Sequence, residues 1–373
     1  MHSPTLAAAA FAAALLALPV AAQSTSQGAG AVPAVSAEAA TDAQTAAIVD
    51  AAEVFMASLD DSQREAVLFA WEDDAQRTNW SNFPTGLFQR AGLRWGDLTG
   101  PQRESLTGLL GTVLSEDGLR MVQEQMASDE VLKVEGGGGA GGGLIDRVSG
   151  LFGGGGPGDL IFGSDEYYVS FVGEPSESEP WMLQFGGHHL GINATVVGPN
   201  VTLAPSLTGG QPVRFTLDGQ AIDIVVDEVT AAGTLMASLS EEQLGEAVRS
   251  ETRSDLVLGP GHDGETLQPE GLTGADMTEE QRTLLLALIE ARLGMLNADN
   301  LATTMASIEE NLDATAFAWF GPADDPASAY WRVTGPKLVV EFSPQEMGGD
   351  AANHLHNMYR DPTNDYGAAW IPR

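Results

Sequence analysis

Two stretches of the chain are near-copies of each other. Residues 92–103 read Gly92-Leu93-x-x-x-Asp97-Leu98-Thr99-x-x-Gln102-Arg103, and residues 271–282 read Gly271-Leu272-x-x-x-Asp276-Met277-Thr278-x-x-Gln281-Arg282. Self-similarity of this kind is the mark of one module used twice. Thr99 with Gln102, and Thr278 with Gln281, form capping boxes: the Thr hydroxyl accepts from the backbone N–H three residues on, and the Gln side chain reaches back. Common capping chemistry explains the Thr-x-x-Gln spacing. It does not explain the preceding Gly-Leu-x-x-x-Asp, so an ancestral duplication is expected. The match extends outward: Ser58-Leu59 and Gln63 correspond to Ser238-Leu239 and Gln243, Phe171-Val172-Gly173 to Trp319-Phe320-Gly321, and Pro180-Trp181 to Tyr330-Trp331. Gly187-His188-His189-Leu190 falls near Gly335-Pro336-Lys337-Leu338.

Periodicity assigns helices and then strands to each copy. Apolar spacing behind the caps predicts helices over 100–114, 116–132, 241–253, 279–296 and 298–312, with earlier helices ending near Leu59 and starting at Asp60. Alternating and β-branched runs predict strands over 167–173, 181–185, 190–197, 316–320, 330–334 and 338–342, and a hairpin around Asp218-Gly219. The expected fold is α+β, two similar halves of helices followed by antiparallel sheet, packed as one unit. The boundaries are 46–230 and 231–373, and the first half carries a glycine-rich insertion at 136–158. That insertion lacks the Lys-Ser/Thr of a phosphate-binding loop and surrounds a short amphipathic piece, Leu144 to Phe152.

Charge and composition exclude several classes. The formal net charge is −35, from 52 acidic and 17 basic residues, and such a surface repels phosphate backbones and anionic lipids. Nucleic acid is not an expected partner. Residues 1–22 resemble a secretory signal, with an apolar run from Leu6 to Leu18 and a small-residue cleavage site at Val20-Ala21-Ala22. Residues 23–45 read as a flexible leader. No later segment reaches the ~18 apolar residues of a membrane span. The mature chain is therefore expected to be periplasmic or extracellular. It has no cysteine, which excludes thiolate catalysis and Cys-type metal sites.

The candidate chemistry lies in histidine. The chain has only six, and four form two tight pairs, His188-His189 and His354-x-His356. On a strand, residues i and i+2 share a face, so His354 and His356 can meet one ion, whereas His188 and His189 would point to opposite faces and only one would join them. Three imidazoles with an open position suit a catalytic divalent transition metal, zinc first, with copper or iron as alternatives. Glu341, Asp361 and Asp365 can supply a carboxylate as ligand, orienting group or base, and Arg360 can clamp an anion. The blander reading has the histidines capping strands and hydrogen-bonding backbone or carboxylate. Arg77 and Arg90 are further candidate anion clamps, each with a surface or core-edge ion pair as the plainer reading. No Gly-x-Ser-x-Gly elbow supports a serine nucleophile.

With Arg77-x-Asn79-Trp80, Gly187-His188-His189-Leu190-x-x-Asn193-x-Thr195 and His354-x-His356-x-x-x-Arg360-Asp361-Pro362-x-x-Asp365-Tyr366-Gly367 in view, the chain resembles the domain-of-unknown-function 3500 family of exported, mostly bacterial proteins. The resemblance runs from about residue 50 to the end and implies export and a single full-length unit. It implies no reaction. The expectation is a metal-dependent enzyme, most simply a hydrolase, acting on a small molecule or a cell-envelope substrate. In it Arg77, Asn79, Trp80, Asn193, Asp365 and Tyr366 contact the substrate, and Asp361, Glu341 and Arg360 carry the chemistry. The alternative is a non-catalytic binding protein whose groove is lined by Trp80, Trp181, Trp331 and Tyr366.

Overall fold

A computed structural model describes residues 42–137, 160–346 and 350–371. The expected signal and leader up to residue 41, and the insertion from 138 to 159, lie outside the described residues. In chain order, helices α1 (Ala43–Ala57) and α2 (Asp61–Val67) lead into strand β1 (Leu68–Phe69), followed by α3 (Asp74–Arg77), β2 (Leu93–Arg94), α4 (Gly100–Val113) and α5 (Glu116–Gly137). Strands β3 (Tyr168–Val172), β4 (Trp181–Gly187), β5 (Leu190–Val197), β6 (Asn200–Thr202) and β7 (Ser206–Gly210) come next, then the hairpin β8 (Arg214–Leu217) and β9 (Gln220–Asp223). The rest runs α6 (Val226–Ser238), α7 (Glu241–Ala247), β10 (Val248–Ser250), β11 (Leu272–Thr273), α8 (Glu279–Leu293), α9 (Ala298–Glu309), β12 (Ala316–Phe320), β13 (Tyr330–Gly335), β14 (Leu338–Pro344) and β15 (Leu355–Arg360).

The fold is α+β, built on a mostly antiparallel sheet ordered β1-β3-β4-β5-β7-β15-β14-β13-β12-β10. The described residues fall within one compact unit. At the middle of the sheet β7 pairs antiparallel with β15, Asn357 opposite Thr208. The sheet is therefore continuous across the expected boundary between the halves.

The matched sequences make matched contacts. Gly92 (φ +93°) and Gly271 (φ +101°) each lie where a Cβ would stand 2.1 Å from a carbonyl oxygen, of Val169 and of Phe317, so both positions need the missing side chain as well as the left-handed backbone. The next residues pair accordingly, Leu93 with Val169 and Leu272 with Phe317. Capping boxes start α4 at Thr99 and α8 at Thr278. Gln102 Nε2 then donates to Ser58 O and Gln63 Oε1, as Gln281 Nε2 does to Ser238 O and Gln243 Oε1.

Two elements differ from the sequence-based expectation for the same reason. The helix expected over 241–253 ends at Ala247, and the one starting at Asp60 ends at Val67. In each case the following residues form short parallel strands, Leu68 beside Phe171 and Val248 beside Trp319. Tertiary pairing overrides local helix propensity there. Strand β7 had no expected counterpart, because Ser206 to Gly210 is polar and glycine-rich.

One face of the sheet packs on helices and the other on loops. Phe171, Leu183, Phe185 and Ile192 join Phe55, Leu106 and Leu109 in one core; Trp319, Trp331, Val340 and Phe342 join Leu285, Leu288 and Ile289 in a second. The residues that alternate with these face the other way: Ser170, Gln184, Asn193, Leu207, Met358 and Glu341 are buried under the connecting loops, where Trp80 packs on Leu207 and Met358. Trp181 and Trp331, expected in an open groove, are fully buried in the helix-side cores. No helix among the described residues is long and apolar enough to cross a membrane.

Candidate metal centre

Strands β4 and β5 close on the pair Gly187–Leu190, so His188 and His189 form a two-residue hairpin turn. His189 has φ +60°, a left-handed value that histidine tolerates better than most side chains. This corrects the expectation of opposite faces. A turn does not alternate as a strand does, and the two ring centroids lie 3.7 Å apart with their planes tilted by 33°. His188 Nδ1 lies 2.7 Å from Asp129 Oδ1, both groups buried, and Asp129 Oδ2 accepts from the Gly163 N–H. His189 N donates to Asn82 O.

The other pair is placed by β15. His356 lies on that strand opposite Gly209 of β7, and His354 stands in extended backbone just before it. In the β5–β7 register Gly191 faces Leu207, and β7 lies between β5 and β15 in the sheet. Gly209 thus lies between the two histidine-bearing elements and offers no side chain to separate them. A Cβ there would meet Leu355 O at 2.1 Å.

The three rings converge. Centroids are 4.8 Å apart for His189 and His354, 5.1 Å for His189 and His356, and 5.2 Å for His354 and His356. One nitrogen from each lies within 4.8 Å of the others, a group that can hold a metal ion. His189 Nε2 and His354 Nε2 are 2.9 Å apart, so one ring donates to the other. Zinc bonded to nitrogens at ~2.0–2.1 Å in a tetrahedron needs them about 3.3 Å apart, so rings whose nitrogens lie within 4.8 Å of one another would close by up to about 1.5 Å to hold it. Burial, followed by the neighbouring histidines, holds His189 and His356 well below the ordinary imidazole pKa. Both are neutral at pH 7, the form that ligates. The Asn82 carboxamide lies 3.2 Å from His356 Nε2.

A family model described as a protein of unknown function (DUF3500) matches residues 41–368. The chain belongs to this family. Comparison with curated proteins and with solved structures finds no match. The DUF3500 match takes in both histidine pairs and every strand of the sheet.

Other residues expected at the site are bonded elsewhere. Glu341 is fully buried; its carboxylate accepts from Val257 N, Leu258 N and the Tyr330 hydroxyl, and burial raises its pKa. Arg360 is 1% exposed and donates to Leu258 O, Gly259 O, Asp263 and Asp365. It fastens the loop after β10 instead of presenting a free fork. Asp361 caps its own turn through Thr363, and lies five residues along the chain from His356, roughly 17 Å on an extended strand. Asp365, its pKa raised by burial to about 6, accepts from Arg360 and Asp361 N.

The expected substrate contacts divide similarly. Tyr366 donates to Asp263 and accepts from Trp80 Nε1. Arg77 pairs with Asp74 and lies over the Trp71 ring. Asn79 donates to Gln76, while Asn193 donates to Pro205 O and accepts from Gln184. These groups build the loop-side polar layer. Asp129 and Asn82 were not singled out from sequence. Asn82 lies in the aperiodic stretch 77–84, whose polar and aromatic mixture was its only signal; Asp129 sits unmarked within a regular helical pattern. A groove of about 620 Å³ is lined by apolar residues such as Leu110, Val122 and Met126 and by none of these histidines.

Proposed function

We propose that this DUF3500 protein is an exported, histidine-ligated metalloprotein, with zinc at His189, His354 and His356, and that it works as a hydrolase on a small or cell-envelope substrate. The observation that carries the reading is the convergence of three imidazoles from distant parts of the chain, two of them held neutral by burial. Zinc fits a donor set of neutral nitrogens with a fourth position left over, where it lowers the pKa of a bound water. In this reading water and substrate would approach from the side of His356, which is less buried than His189 and His354.

The base in this reading is His188, not Glu341 or Asp361, whose carboxylates are spent on other partners. Asp129 orients His188 through Nδ1, and the His188 ring lies against the ligand His189. A carboxylate behind an imidazole fixes its tautomer and ring orientation. We also read the matched halves as a duplication in which only the first copy's hairpin carries histidine; the second copy has Pro336-Lys337 at its turn.

The His189–His354 hydrogen bond favours a second reading, in which the histidines are structural and the protein binds its ligand without a metal. Calorimetric zinc titration separates the two. The hydrogen between the Nε2 atoms would move to an Nδ1 when both become ligands, so the neutral imidazoles release no net proton, and saturable binding near one zinc per chain is the expected result. Absence of saturable zinc binding favours the second reading. Zinc binding retained by His188→Ala, with loss of turnover, supports the proposed base.

A further inference from the structure

A buried guanidinium behind the histidine hairpin makes no ion pair among the described residues. Arg90 is 7% exposed. Its Nη2 donates to three carbonyls, Ser81 O at 2.7 Å, Phe83 O at 2.6 Å and Gly187 O at 2.8 Å. Its Nε and Nη1 are buried and have no hydrogen-bond partner among the described residues. The Phe88 ring lies 5.5 Å from its Cζ. The nearby carboxylates are already committed: Asp129 to His188 and Gly163 N, and Glu166 to Arg94. Burial lowers the Arg90 pKa to about 10, which leaves it charged at neutral pH. A buried charge left unpaired costs several kcal/mol, and buried charges in proteins are paired as a rule.

Arg90 lines a cavity of about 20 Å³ under Trp80. That is room for one water-sized species, since a cavity needs ~10–15 Å³ to hold a water. Asn79 and Ser81 line the same cavity. The Ser81 hydroxyl oxygen accepts from Phe83 N, and its own hydrogen is free to point at an acceptor. A phosphate or an organic acid is too large for the space, and a water would leave the positive charge uncompensated.

We infer that this cavity is a halide site, with chloride held by Arg90 Nε and Nη1 and by the donors Ser81 and Asn79. The bound anion would lock the 79–90 loop onto the β4–β5 hairpin. Arg90 already bridges the carbonyls on both sides of Asn82 and the one preceding His188.

The test uses the full chain. Crystals soaked in sodium bromide should show an anomalous peak beside Arg90. Thermal unfolding should occur at higher temperature in sodium chloride than in sodium gluconate of equal ionic strength, with a saturating dependence on chloride. Ser81→Ala should weaken the chloride dependence on the order of ten-fold, as expected for one hydrogen bond to a charged group. Arg90→Gln should abolish it. If that variant fails to fold, the bromide map and the Ser81→Ala titration decide. Water density at Arg90 with bromide only on the surface, or equal unfolding temperatures in chloride and gluconate, overturns the proposal. It stands or falls apart from the metal reading, since neither readout requires zinc.

Discussion

Replacing Glu228 by Gln should stabilise the protein above neutral pH and leave it nearly unchanged in mild acid. Glu228 lies in the first turn of α6 and is 4% exposed. Its Oε1 accepts from Asn357 Nδ2, on the strand at the centre of the sheet. Burial raises its pKa from 4.5 to about 7, against the smaller opposing pull of Arg292. The folded state therefore holds a proton that the unfolded chain has released between those two values. Stability falls as pH rises through that window and stays reduced above it. At 1.36 kcal/mol per unit of pH the full penalty is about 3 kcal/mol. Gln carries no charge to desolvate. Its amide can donate to Asn357 Oδ1, which has no hydrogen-bond partner among the described residues. Urea unfolding of both proteins from about pH 4.5 to pH 8.5 checks this: the Gln variant should gain up to ~3 kcal/mol above pH 7.5 and almost nothing at the acid end. A difference independent of pH, or a Gln variant less stable at pH 8, would refute the reasoning.

Four further substitutions probe other parts of the account. Gly209→Ala places a Cβ against Leu355 O between the two histidine-bearing elements, and should cost about 3 kcal/mol in denaturant melts and weaken metal binding. Gln102→Ala and Gln281→Ala each remove two donated hydrogen bonds from a buried amide, and should each cost roughly 1–3 kcal/mol, similar to one another; a large cost at only one would show that the two positions do different work. Arg360→Met leaves Asp365 without its buried partner and should cost about 3–5 kcal/mol while leaving metal content untouched, whereas a loss of metal with stability intact would restore it to the site.

Much of the fold was legible because it is written locally and twice. The capping residues Thr99 and Thr278 start helices as their spacing requires, and Asp218-Gly219, both at positive φ, turn the β8–β9 hairpin. The parallel strands β1 and β10 were not legible, since Leu68 and Val248 continue a helical pattern and leave it only because β3 and β12 are alongside. The site was half legible. One-residue spacing put His354 and His356 together. The role of His189 depended on a hairpin turn and on the long-range pairing of β7 with β15, and neither follows from two adjacent histidines. Arg360 and Glu341 attracted attention as charged groups near His354 and His356, but long-range pairing with residues 257–263 fixes what they do. Asp129 reaches His188 from a helix 59 residues away in sequence, which no spacing rule would find.

Metal content of the full chain, purified without a histidine tag and dialysed against trace-metal-free buffer after zinc loading, tests the central claim most directly. The convergence of His189, His354 and His356 predicts close to one zinc per chain, and close to none in folded His354→Ala and His356→Ala variants. Native protein that retains no zinc, or variants that retain as much as the native chain, would contradict it.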